Sequence, residues 1–158
     1  MNTIDPEPRL DVFEPDDNTA LVCADVPELQ RLIVEQLAGM NYKIHPGLSV
    51  DDLLLKLETH AYDLIVMSEH IGGNRAEENV VLNRAIQLPA AQRRRQLLVL
   101  IGAQLKTNDG MNAFEHSVDL VVSLSDVVHL RPLIRRAVVR MQEFYAPWFE
   151  AEKLAVQA

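Results

Sequence analysis

Three polar residues stand directly after apolar runs: Asp25 after Ala20–Ala24, and Ser68 and Glu69 after Leu64–Met67. A carboxylate in such a place can hold a hard cation or move a proton, and a serine hydroxyl can attack or donate. Other reactive types are thinly spread. His45, His60, His70, His116 and His129 lack the short pairing of metal ligands, and Glu69 with His70, the nearest approach to a cluster, reads as a surface loop pair. Ser68, Asp63 and His70 are the residue types of a nucleophilic triad. Asp63, however, opens the strand that Ser68 closes, at about 3.3 Å per residue, so the three cannot meet. Gly72-Gly73-Asn74 is a glycine turn with no phosphate-loop pattern around it. Cys23, the only cysteine, excludes an internal disulfide and a thiolate zinc site, and reads as a small buried residue.

The elements that must position these residues alternate in type. Ala20–Ala24 reads as a strand buried on both faces. Pro27 suits a first helical turn, Leu29, Leu32, Ile33, Leu37 and Met40 recur at helical spacing, and Gly39 marks the exit. Tyr42–His45 predicts a short second strand. Ser49 and Asp52 form a capping box with Asp for the usual Glu, opening a helix with Leu53, Leu54 and Leu57 inward. Leu64–Met67 is a third strand. A helix over about 77–87 carries Val81, Leu82, Ala85 and Ile86 and stops before Pro89. Arg93-Arg94-Arg95 falls in a polar connection and reads as a solvated loop. Leu97–Ile101 is a fourth strand, Met111–Glu115 a short helix, and Leu120–Ser123 a fifth strand. The last helix starts near Val128, tolerates Pro132 in or just past its first turn, and runs to about Pro147. Strands alternating with amphipathic helices predict a doubly wound α/β fold, a parallel sheet with helices on both faces. Its sites lie at the carboxyl ends of the strands.

Size and charge narrow the options. At 158 residues the expectation is one domain, and 48% hydrophobic residues can fill its core. A net charge of −8 disfavours nucleic acid as the main partner. No apolar run reaches the roughly 20 residues of a bilayer span, and Met1–Asp5 lacks the pattern of a secretory signal, so the expectation is a cytoplasmic protein without a membrane role. Residues 1–18 read as an acidic flexible tail interrupted by Pro6, Pro8 and Pro15, with Leu10, Val12 and Phe13 as its one apolar cluster.

Two segments above all, Leu21-Val22-Cys23-Ala24-Asp25-Val26-Pro27-Glu28-Leu29 and Tyr62-Asp63-Leu64-Ile65-Val66-Met67, resemble the bacterial response-regulator receiver domain. Ala113-Phe114 through Val118-Asp119 is similar to the same family's approach to its fifth strand. The resemblance covers about 19–141 and implies a flavodoxin-like five-stranded sheet in the order 2-1-3-4-5. It also implies a chemistry. Receivers use an aspartate ending strand three, two acids after strand one that help it hold Mg²⁺, a hydroxyl after strand four and a lysine after strand five. Carried onto this chain, the acid pair is Ala24 and Asp25, the phosphoacceptor is Ser68, the hydroxyl is Ile101 followed by Gly102, and the lysine is Leu124 followed by Ser125. Val121 replaces the switch aromatic. Only Asp25 survives, and it can serve simply as a helix cap. A shift of one residue would put the Glu69 carboxylate at the acceptor, but neighbouring strand residues face opposite ways, so Ser68 and Glu69 cannot both fill it.

The resemblance therefore implies a degenerate receiver with no cofactor and no enzymatic role, acting in signalling or regulation through a protein partner. The alternatives are a phosphorylatable receiver and a small-ligand regulator using the strand-end crevice. In receivers the last two helices and strand five form the output face. Here Arg131, Arg135, Arg136 and Arg140 recur on the final helix, a face suited to an acidic segment such as residues 5–17. Phe144, Tyr145 and Trp148 extend the apolar stripe beyond the domain, into the extension over 142–158, and suggest a homodimer.

Overall fold

The computed structural model describes residues 14–47, 49–71 and 79–157. Leu10, Val12, Phe13 and the Gly72-Gly73-Asn74 turn lie outside them. Five parallel strands, β1 (Asn18–Cys23), β2 (Tyr42–Pro46), β3 (Leu64–Ser68), β4 (Leu97–Gly102) and β5 (Leu120–Ser123), form one sheet in the order β2-β1-β3-β4-β5. The expected doubly wound order is thus observed. The connecting helices are α1 (Pro27–Ala38), α2 (Val50–Thr59), α3 (Val80–Ile86), the single turn α4 (Ala90–Arg93), α5 (Gly110–Glu115) and α6 (Leu130–Gln157), the last preceded by a 3₁₀ segment over Leu124–His129.

Strand parity divides the core. Ala20, Val22, Leu64, Val66, Val99, Ile101 and Val122 pack with α1 and α6 residues such as Ile33, Leu37 and Ile134. Their strand neighbours Leu21, Cys23, Ile65, Met67, Leu98 and Leu100 pack with Leu53, Leu57, Val81 and Ala113 on the other face. Successive strand side chains point to opposite faces, so apolar runs without alternation are what a sheet covered on both sides requires. Burial pushes the Cys23 thiol far above its usual pKa, against the pull of Lys56, so it is an inert core group.

Two acids fasten strand starts. The Asp63 carboxylate accepts the Thr19 N–H at 2.8 Å, and the Asp119 carboxylate accepts the Leu98 N–H at 2.8 Å. Burial raises the Asp119 pKa, while that N–H and Arg93 pull it down. Ser49 caps α2 as expected, accepting the Asp52 N–H at 3.1 Å, and the Asp52 carboxylate takes Lys56 one turn on. Gly39 follows α1 with φ −67°, so its value is space: a Cβ there would stand 2.5 Å from the Arg131 guanidinium. The left-handed residue of this turn is Asn41, φ 64°.

Two sequence expectations are corrected. The last helix does not stop near Pro147 but runs through it to Gln157. An internal proline removes one N–H and normally costs about 3 kcal/mol. Here the far segment is anchored in compensation, with Arg94 stacked 4.1 Å over Trp148, Arg95 4.4 Å over Phe149, and Arg95 paired with Glu152 at 3.4 Å. The arginine run is therefore no mere solvated loop. Arg93, at the end of α4, also donates to the Ile86 and Ser117 carbonyls.

Gln36 joins the two helices of one face. Its side chain donates to the Val127 carbonyl and accepts the Leu130 N–H at 3.0 Å, all buried. Gln36→Ala strands both backbone groups and should cost about 2–4 kcal/mol, read as a lower urea midpoint at unchanged m-value. On the other face the Tyr62 hydroxyl meets His45 Nδ1 at 2.8 Å, and burial raises its pKa, helped by the fields of Cys23 and Asp52. The folded state then holds this proton more tightly than the unfolded chain. The associated stability is complete below the unfolded value of about 10 and is lost as pH rises through the folded one. Urea midpoints should fall above about pH 10, and less steeply in Tyr62→Phe.

Candidate functional site

Hydrogen-bond register decides what stands at the strand ends. Ser68 is the register partner of Ile101, one strand over, and Ile101 is in turn the partner of Val122. The Glu69 N–H extends the ladder to the Ile101 carbonyl at 2.7 Å. Ser68 is half-buried, whereas Ile101 is wholly enclosed in the core beneath α1 and α6. Leu124 opens the 3₁₀ segment and is 46% exposed. The structure thus sets Ser68 beside Ile101 and keeps Leu124 at the end of the neighbouring strand; Ile101, expected just after strand four, lies within β4, which runs on to Gly102.

Ala24 and Asp25 sit slightly apart from that pair. They line an open cleft of about 670 Å³ between the first turns of α1 and α2, together with Arg31, Ser49, Leu53 and Ile71. Asp25 is exposed, and it is not the helix cap expected of it: the residue at the N-cap of α1 is Val26, with no side-chain hydrogen bond there.

The Glu69 carboxylate lies over Gly102. A Cβ at Gly102 would fall 2.2 Å from Glu69 Oε2 and 3.0 Å from Leu105, so glycine leaves the room that the carboxylate fills. Glu69 is mostly buried, with His70 Nε2 at 3.9 Å. Glu69 therefore bends across the end of β4, a placement that strand parity alone did not reveal.

Two residues unnoticed in the sequence hold this end together. Asn79 is fully buried. Its amide donates to the Ser68 and Glu69 carbonyls at 3.1 and 3.0 Å, while its oxygen caps α3 through the Leu82 N–H at 3.0 Å. Asn at an N-cap is readable from sequence, but its long-range bonds to β3 are not. Thr107 accepts the Ser123 N–H at 2.8 Å and donates to Asp126 at 2.6 Å, tying the loop after β4 to β5 and the 3₁₀ segment.

Among the histidines, His45 and His60 come together beside Tyr62, with ring centroids 4.9 Å apart, although 15 positions separate them in the chain. Among the described residues no three His, Cys, Asp or Glu side chains gather in a geometry for a metal ion. On the last helix Arg131 is partly committed, its Nε donating to the Gln36 carbonyl at 3.1 Å. Arg135, Arg136 and Arg140 are exposed, as are Phe144 and Trp148, while Tyr145 is half-buried. Arg140, Met141, Phe144 and Tyr145 border a groove of about 350 Å³ along β5 and α5.

No protein-family model and no curated protein matches the chain. Solved structures do. A CheY-like response regulator receiver domain protein from Methanospirillum hungatei JF-1 aligns with TM-score 0.63 at 12% identity, covering 80% of this chain and 98% of its own. The signal receiver domain of an HD domain-containing protein from Pseudomonas fluorescens Pf-5 gives 0.61 at 16%, with 80% and 98% covered. The chemotaxis response regulator CheY4 of Vibrio cholerae gives 0.58 at 10%, with 77% and 98%. The fold is that of the CheY-like receivers. The receiver fold accounts for the sheet order and for strand ends that converge on one edge. At these identities it says nothing of chemistry, which rests on the side chains themselves.

The Glu69–Gly102 contact is testable by a double-mutant cycle. Gly102→Ala should destabilise by about 1 kcal/mol by displacing the carboxylate. In a Glu69→Ala background the same change should cost clearly less, and equal costs in both backgrounds would show that the two positions do not interact.

Proposed function

We propose that this chain is a receiver-fold module of signalling or regulation that works by protein–protein recognition, without aspartyl phosphorylation and without an enzymatic step of its own. The observation that carries the reading is the register of Ser68 with Ile101. Phosphoryl transfer to a receiver needs a carboxylate nucleophile, a cation and donors for the phosphoryl oxygens. At the matching positions this chain offers a hydroxyl, buried hydrocarbon and the exposed Leu124, and keeps one acid, Asp25, in the neighbouring cleft.

Switching is the second support. A receiver responds because a ligand binds one of two conformations better than the other. Here the groups that would sense a phosphate are replaced, and the loop after β4 is held by Thr107 and by the buried Leu105. The domain then occupies one arrangement, and its output is a surface. The exposed Arg135, Arg136 and Arg140 favour an acidic protein partner. No helix among the described residues is long and apolar enough to cross a membrane.

The open cleft beside Asp25 favours a second reading, a small ligand bound between α1 and α2. Such a ligand would raise the melting temperature, because binding to the native state alone adds stability. The preferred reading expects no such shift across a broad metabolite screen.

The main test uses a small phosphodonor. Incubation with acetyl phosphate and Mg²⁺ should leave the intact mass unchanged, and Ser68→Asp should remain inert because Ile101 and Leu124 still stand where the phosphoryl oxygens would be held. A phosphoryl group gained by the unaltered chain, labile as an acyl phosphate is, would overturn the proposal.

A further inference from the structure

A groove of about 320 Å³ lies under the strand starts, with Asn18, Tyr42 and Asp63 on the side of the sheet, Val138, Met141 and Phe149 on the side of α6, and Arg94 and Arg95 beside them. Tyr42, Val138, Met141 and Phe149 are each half-buried, so the groove offers apolar surface. Its charges are not equally committed. The Asp63 carboxylate accepts the Thr19 N–H at 2.8 Å, and Arg95 is stacked on Phe149 and paired with Glu152. Arg94 lies 4.1 Å over Trp148, yet among the described residues its guanidinium meets no carboxylate, and its Nε is enclosed without an acceptor. An enclosed cationic donor left unpaired is costly, and a carboxylate is the partner that suits it best.

The chain itself brings a carboxylate to this place. Asn18 both lines the groove and opens β1. Just ahead of it Glu14-Pro15-Asp16-Asp17 forms a turn, in which the Asp17 N–H donates to the Glu14 carbonyl at 3.0 Å and the Glu14 N–H to the Asp17 carboxylate at 2.8 Å. Such a turn reverses the chain, so what precedes Glu14 starts back toward the edge of the sheet. Residues 1–13 lie outside the described part and end in Leu10-Asp11-Val12-Phe13, one acid among three apolar side chains. The tether from Asn18 keeps Asp11 within about 25 Å of the groove's edge. A segment so tethered is present at about millimolar local concentration, which a separate partner would have to match in solution. None of the α6 arginines lines this groove.

We infer that the groove seats this chain's own N-terminal segment: Leu10–Phe13 lies against Val138, Met141 and Phe149, and the Asp11 carboxylate accepts from Arg94. The seat stands at the opposite ends of the strands from Ser68 and Ile101, so it holds or fails apart from the function proposed above.

Trypsin tests it on the full chain, because Arg9 places a cleavable bond at the border of the segment. The initial rate of cutting after Arg9, followed by intact mass, should be at least tenfold slower in the full chain than in a free peptide of residues 1–17, since cutting tracks the population of the open form. Arg94→Ala and Phe149→Ala should each raise the rate about tenfold with the circular dichroism of the fold retained. Asp11→Asn, which leaves the groove untouched, should raise it in the full chain and not in the peptide. Cutting as fast in the full chain as in the peptide, or a rate indifferent to both Asp11→Asn and Arg94→Ala, would overturn the proposal. Protection that grows with protein concentration would place the segment on a second copy and overturn it equally.

Discussion

The parallel ladder between β3 and β4 fixes which side chains stand level with each other at the strand ends. With both faces of the sheet covered, every strand residue must be hydrocarbon or find a partner, and the ladder permits no slip of one position without turning a whole strand over. Ser68 therefore stands level with Ile101, and Ile101 is sealed beneath α1 and α6. The Ile101 side chain is hydrocarbon, so it contributes packing and donates no hydrogen bond.

The groups around the pair form a closely tied strand end. Glu69 folds over Gly102, Asn79 ties the two carbonyls after Met67 to the start of α3, and Thr107 ties the next loop to β5. Each contact joins a loop to a strand end. On α6 the inner stripe closes the core, while the outer stripe and the arginines face solvent.

Much of the fold was legible in the sequence because burial on two faces writes itself as uninterrupted apolar runs. Leu64–Met67 and Leu97–Ile101 could be read in no other way, and Ser49 announced its helix by a cap whose partner is three residues away. What was hidden depends on distance along the chain. Pro147 looked like a stop because the arginines that hold the helix beyond it lie some 50 positions earlier, at Arg94 and Arg95. Asn79 reads as a local cap, and only the folded chain shows its bonds to β3. The positions compared with a receiver site could be named in advance because each lies at or just beyond the end of an apolar run. The bend of Glu69 could not, since it depends on the missing Cβ of Gly102, a strand away.

Calorimetric titration of the full chain with Mg²⁺ and beryllofluoride, which mimics a phosphoryl group on a carboxylate, is the most direct measure of whether this crevice has lost its ion. A side-chain set of Ser68, Ile101 and Leu124 predicts no saturable heat. Saturable, Mg²⁺-dependent binding that disappears in Asp25→Asn would contradict the account.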